Sequence, residues 1–176
     1  GKIIAEGTGA KAFQMEGGQL DGRFINNGLI QVTGVGSTAV DVTSSERWNG
    51  VSNVNDRADV RGIENNGTII AMGEDAEGIR ADGVSFASEQ AHIVNNGVIQ
   101  AQDAAIVIGG FDIDGINQGG ALKVVNNGTL LSQDEAVDAS ESDGRVYLTL
   151  ADGSKTTGNL TDLSMIEVTG KAAFTG

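Results

Sequence analysis

Six carboxylates recur beside one kind of bend in this chain: Glu74, Asp75 and Glu77, then Asp103, then Asp134 and Glu135. Two acids held at a fixed separation across a groove can hydrolyse a glycosidic bond, usually with aromatic side chains as a platform for the sugar. The single tryptophan and single tyrosine, Trp48 and Tyr147, sit in distant segments, so the plain reading is a solvated acidic corner. A second oxygen-rich stretch, "GGFDIDGINQGG" from Gly109 to Gly120, offers Asp112, Asp114 and Asn117 as calcium ligands. It lacks the spacing and terminal glutamate of an EF-hand, and calcium is the one metal or cofactor this sequence nominates. A third candidate is Arg47 beside Trp48 in the segment 43–62, since those residue types are favoured at contact hot spots. The plain alternative for Trp48 is an anchor that packs its own loop.

Other chemistries lack their parts. The one histidine, His92, has no evident triad partners, no G-x-S-x-G or G-x-x-x-x-G-K-[ST] occurs, and there is no cysteine for a thiolate nucleophile or metal site. A net charge of −13 sets the chain against nucleic acid and anionic membrane surfaces. No run is apolar enough to span a bilayer as a helix, so direct membrane insertion of this segment is not expected.

What must position these residues is a repeat. Asn-Asn-Gly occurs four times, ending at Gly28, Gly67, Gly97 and Gly128, each copy between short apolar runs. The stretch "GTIIAMGEDAEGIRADG" from Gly67 aligns without a gap to the first residues, "GKIIAEGTGAKAFQMEG", with seven of 17 positions identical. The sequence thus opens inside a repeat, and the expectation is a segment of a longer protein. Each copy reads as a short strand, a polar bend, a second strand from Ala39, Ala76, Ala104 or Ala136, and a third strand leading into the next Asn-Asn-Gly. None has helical periodicity. Length varies in one interval, between the second and third strands: 16–23, 43–62, 82–91 and 109–122. Insertions confined to one corner are what a stacked solenoid tolerates.

Asn-Gly is also a strong hairpin signal. A hairpin gives the preceding asparagines, Asn26, Asn65, Asn95 and Asn126, nothing to do, whereas stacked coils let them pass amide hydrogen bonds from rung to rung. In that reading the second asparagine tolerates a left-handed backbone and the glycine lets the chain turn.

"VVNNGTLL" and its relatives resemble the NxGxI-type repeats in passenger regions of bacterial autotransporters and other large exported surface proteins. The resemblance covers about residues 1–140 and implies a right-handed parallel β-helix, but not an activity, because one scaffold carries adhesins, proteases, lyases and tailspikes. The expected architecture is all-β, a single β-helix segment over 1–176 of about five to six coils. Residues 1–140 form regular coils, and 141–176 form an irregular last coil or a hairpin around Asp152-Gly153. The resemblance implies a secreted or cell-surface protein, anchored in the outer membrane through a region outside these residues. The expected function is a non-enzymatic structural and adhesive stalk whose corner loops meet a host-surface protein, a glycan or another copy. The alternatives are a self-assembling surface-layer or filament component, calcium-dependent or not, and a carbohydrate-active β-helix enzyme.

Overall fold

The computed structural model describes residues 1–48, 53–56, 58–86, 91–113 and 121–176, with the backbone alone for 46–48, 53–56 and 112–113. Its strands follow the repeat. The first rung holds β1 (Lys2–Glu6), β2 (Lys11–Glu16) and β3 (Gly18–Asn26), the second β4 (Leu29–Thr33), β5 (Thr38–Thr43), β6 (Ser45–Trp48), β7 (Asn53–Asp56) and β8 (Ala58–Asn65). The third holds β9 (Thr68–Met72), β10 (Glu77–Asp82), β11 (Val84–Phe86) and β12 (Ile93–Asn95). The fourth holds β13 (Val98–Ala101), β14 (Ile106–Ile108), β15 (Phe111–Ile113) and β16 (Ala121–Asn126). Beyond it come β17 (Thr129–Asp138), β18 (Arg145–Leu150), β19 (Lys155–Thr161), β20 (Met165–Val168) and β21 (Ala173–Thr175).

Among the described residues every strand pairing is parallel and joins neighbouring rungs, except that of β6 with β7, which is antiparallel within one rung. The first face stacks β1, β4, β9, β13 and β17, the second β2, β5, β10 and β14, and the third β3, β8, β12, β16, β18 and β20. This is a parallel β-helix. At the fifth rung the bend between the first two faces vanishes, so β17 runs through both and joins them into one sheet.

The registers turn sequence identity into columns. Ile3, Ile30, Ile69, Ile99, Leu130, Thr156 and Phe174 stand above one another, pointing inward. A second inward column on the third face runs through Phe24, Ile63, Ile93, Val124, Leu148 and Ile166. Middle members of both columns are fully buried, while the terminal Ile3, Phe174 and Ile166 are about half exposed because no rung covers them. Strand burial alternates accordingly, as in the buried Ile69 and Ala71 between the half-buried Thr68, Ile70 and Met72.

Asn-Asn-Gly marks a corner, not a hairpin. The strands on either side of it belong to different faces, and no residue of the four tripeptides has positive φ. The expectation of a left-handed second asparagine and a conformationally free glycine is therefore corrected. The glycine is required for closeness: a Cβ on Gly28, Gly67, Gly97 or Gly128 would overlap the carbonyl oxygen of Gly1, Gly28, Gly67 or Gly97, one rung earlier. Positive φ occurs instead at the bend between the first two faces, where Gly34 and Gly73 have φ of 139° and 138° and Asp75 takes a left-handed φ of 54°.

The two readings of the C-terminal part are also separated. β18 pairs in parallel with β16 and β20, and β19 with β17 and β21, so Asp152-Gly153 is another corner and no hairpin forms there. The variable intervals between the second face and the next Asn-Asn-Gly fall at two kinds of place. Between β5 and β8 the chain leaves at the corner, with β6 and β7 antiparallel, whereas β11 and β12, and likewise β15 and β16, are successive strands of the third face separated in sequence.

Gly97→Ala should lower the urea midpoint far more than an ordinary surface Gly→Ala change, which sits within about 1 kcal/mol, because the backbone it would meet cannot move without separating two rungs. A midpoint equal to that of wild type contradicts the close stacking.

Candidate functional site

Two constellations stand out among the described side chains: the asparagine corner and the acidic corner across the first face from it.

At the first, each inner asparagine is buried and donates to the next. Asn26 Nδ2 reaches Asn65 Oδ1 at 2.8 Å, Asn65 Nδ2 reaches Asn95 Oδ1 at 2.8 Å, and Asn95 Nδ2 reaches Asn126 Oδ1 at 2.9 Å. The series ends when Asn126 donates to the Thr156 hydroxyl at 3.1 Å, because Leu150 occupies the asparagine position of the following rung. The second hydrogen of each amide is also used, on the carbonyl oxygens of Thr68, Val98, Thr129 and Lys155. Amide orientation is fixed locally: the backbone N–H groups of Gly28 and Gly128 donate to the Oδ1 of Asn26 and Asn126, which leaves each Nδ2 aimed at the following rung.

The outer asparagines form a second, exposed column in the opposite sense. Asn127 donates to Asn96, Asn96 to Asn66 and Asn66 to Asn27, at 2.7, 2.7 and 3.0 Å. The two antiparallel rows of amide dipoles offset one another at a single corner.

At the acidic corner, Asp103 follows β13 and Asp134 and Glu135 lie in the straightened β17 one rung further on. Carboxylate oxygens from these three residues lie within 4.8 Å of one another. Burial, then repulsion from Glu77, Asp75, Asp134 and Asp138, raises the Asp103 pKa above the ordinary carboxylate value. Glu135 is raised for the same reasons, burial first and then Asp134, Asp103 and Asp138. Arg80 is engaged elsewhere: it forms a bidentate pair with Glu77 at 2.9 and 2.8 Å and also reaches Glu141 at 3.2 Å. The arrangement favours a shared proton, and its three oxygen donors are of the kind a hard divalent cation accepts.

Comparison with protein-family models, curated proteins and solved structures returns no match for this chain.

Of the acids singled out in the sequence, the fold therefore gathers Asp103, Asp134 and Glu135, assigns Glu77 to Arg80, and leaves Glu74 and Asp75 exposed. Tyr147 belongs to the third face, where Arg145 lies 6.0 Å from its ring centroid, and provides no platform beside the acids. His92 is buried and accepts a hydrogen bond at Nδ1 from the Lys123 N–H, with its ring 5.2 Å from that of Phe86. Asp114 and Asn117 lie outside the described residues, as do the side chains of Asp112, Arg47 and Trp48. Sequence reading missed the outer asparagine column as a hydrogen-bonding element, although its signal, a second Asn at the same offset, was in plain view.

Two measurements follow from these corners. Asn95→Ala strands a buried donor and a buried acceptor and should cost about 1–3 kcal/mol in urea unfolding, against well under 1 kcal/mol for the exposed Asn96→Ala. For the acids, raised folded-state pKa values mean that the folded chain binds more protons than the unfolded one as pH falls from neutral toward the ordinary carboxylate range. Stability from this corner therefore rises on mild acidification. Asp103→Asn should be more stable than wild type at pH 7, with the gap closing as the pH falls; a gap independent of pH contradicts the assignment.

Proposed function

We propose that this chain is a segment of a rigid structural and adhesive stalk of a secreted or surface-displayed bacterial protein, acting by binding and not by turnover. The observation that carries this reading is the division of labour in the fold. A continuous parallel scaffold, locked at one corner by two amide columns, keeps its first face uninterrupted and confines its variable intervals to the stretch after the second face. Loops held on a stiff frame present contacts without a loss of order on binding.

The resemblance of the Asn-Asn-Gly repeats to autotransporter passengers supports export and surface display. A host-surface protein or a glycan remains the partner class that corner loops on such a frame would meet. The carbohydrate-active reading draws only on the acidic corner, whose raised pKa values arise from burial and crowding without an aromatic platform beside it.

The test is binding of the labelled chain to a glycan array and to cultured epithelial cells, with and without replacement of residues 45–57 by a short Gly-Ser link. The reading expects binding lost on replacement with the melting temperature little changed, and no reducing ends released from a polysaccharide panel. Binding that survives replacement of this and the two other inserted segments, or release of reducing ends, counts against it.

A further inference from the structure

The first face differs from the other two. Its outward residues on the second to fifth rungs are Leu29, Gln31 and Thr33, Thr68, Ile70 and Met72, Val98, Gln100 and Gln102, and Thr129 and Leu131. None is charged, in a chain with a net charge of −13; the charged residues of these columns, Lys2 and Glu6 on the first rung and Lys155 on the sixth, lie at the two ends. The second face presents Arg80 and Asp138 outward, and the third presents Glu64, Lys123 and Glu167. No insertion leaves from the first face, so it is also flat.

Polar and apolar residues alternate down its columns. Along one column the order is Leu29, Thr68, Val98, Thr129, and along the next it is Gln31, Ile70, Gln100, Leu131. Across these two columns the result is a checkerboard of half-buried side chains. Its two edges are unlike: one is the neutral column of Asn27, Asn66, Asn96 and Asn127, the other the acidic corner with Glu74, Asp75, Asp103 and Asp134.

We infer that this face is a docking surface for a second copy of the same chain, packed face to face about a two-fold axis parallel to the helix. Charge selects the occupant. Nucleic acid and anionic lipid need a cluster of cations where this face has only Lys2 and Lys155 at its two ends, a sugar polymer usually needs aromatic platforms that it lacks, and a second copy meets like charge on the other faces whereas here the first-rung Lys2 meets the Glu6 of its mate. Charge also selects the orientation. A two-fold across the helix would set the two acidic edges against each other, whereas a two-fold along it sets each acidic edge over the partner's asparagine edge. With that axis over the central column, the flanking columns set Leu29 against Thr33, Thr68 against Met72 and Val98 against Gln102, while Gln31, Ile70, Gln100 and Leu131 each face their own symmetry mate, so that along the axis apolar meets apolar and amide can donate to amide. This is the isologous matching that a two-fold interface requires.

The area sets the strength. Four rungs at about 4.8 Å by five residues at about 3.3 Å give roughly 300 Å² a side, well below the approximately 800 Å² of a standard interface. The pairing is therefore weak in dilute solution and populated where copies stand side by side. It does not depend on the loops and would hold even if the adhesive reading failed.

Because the chain has no cysteine, single-cysteine variants report the geometry cleanly. Gln31→Cys and Leu131→Cys, three rungs apart, should both form disulfide-linked dimers under mild oxidation, at least tenfold faster than Thr149→Cys on the third face. Sedimentation of the wild-type chain up to about 1 mM should show a rising mean mass, abolished by Ile70→Lys in a variant that keeps the wild-type circular dichroism. Equal crosslinking at all three positions or a monomer throughout overturns the proposal, and crosslinking at only one of Gln31 and Leu131 overturns the parallel arrangement.

Discussion

Backbone hydrogen bonds hold successive rungs one strand spacing apart, about 4.8 Å, and at the corner after the third face that distance leaves no room for a side chain. Hence the column of glycines, each with its missing Cβ against the preceding glycine carbonyl. The same spacing puts each asparagine within hydrogen-bond reach of its copy above and below, and burial makes the bond hard to give up. A buried primary amide has two donors and an acceptor, and in the middle of this stack all three are met by the neighbouring rungs. Steric closeness and polar satisfaction thus demand the same register at the same place.

That register propagates. Once Asn65 stands over Asn95, Ile63 must stand over Ile93 and Ile69 over Ile99, so the apolar columns are placed by the polar one. A slip by one residue would turn Ile69 outward and also break the amide row. Loops can grow only where neither column passes, and the variable intervals lie after the second-face strand and before the Asn-Asn-Gly corner. The first face, bounded by two corners of fixed geometry, is left flat and free of insertions. Electrostatic crowding collects at its acidic edge, where the bend straightens in β17 and brings Asp134 and Glu135 up to Asp103.

Much of this was legible because a repeat converts local sequence into neighbours in space. Four copies of one tripeptide announced the stacking, and the alignment of the first residues with those from Gly67 set β1 beneath β4 and β9. The role of the glycine was misread because a turn signal is local, while the carbonyl that excludes a Cβ belongs to a residue at least 27 positions earlier in sequence. Asp152-Gly153 was ambiguous for the same reason: Asp-Gly favours a reversal, but the pairing of β18 with β16 and β20 decided for another rung. The acidic trio was only half visible. Asp103, Asp134 and Glu135 were seen as acids near a bend, but their approach depends on the loss of that bend in one rung, which composition does not foretell.

The central claim is that the inner asparagines are locked between rungs and the outer ones are not essential. Side-chain amide hydrogen exchange on a chain labelled with nitrogen-15 at asparagine measures this directly. Nδ2 protons of Asn65 and Asn95 should exchange only at the rate of global unfolding, and those of Asn66 and Asn96 orders of magnitude faster. Equally fast exchange at both columns would contradict the account.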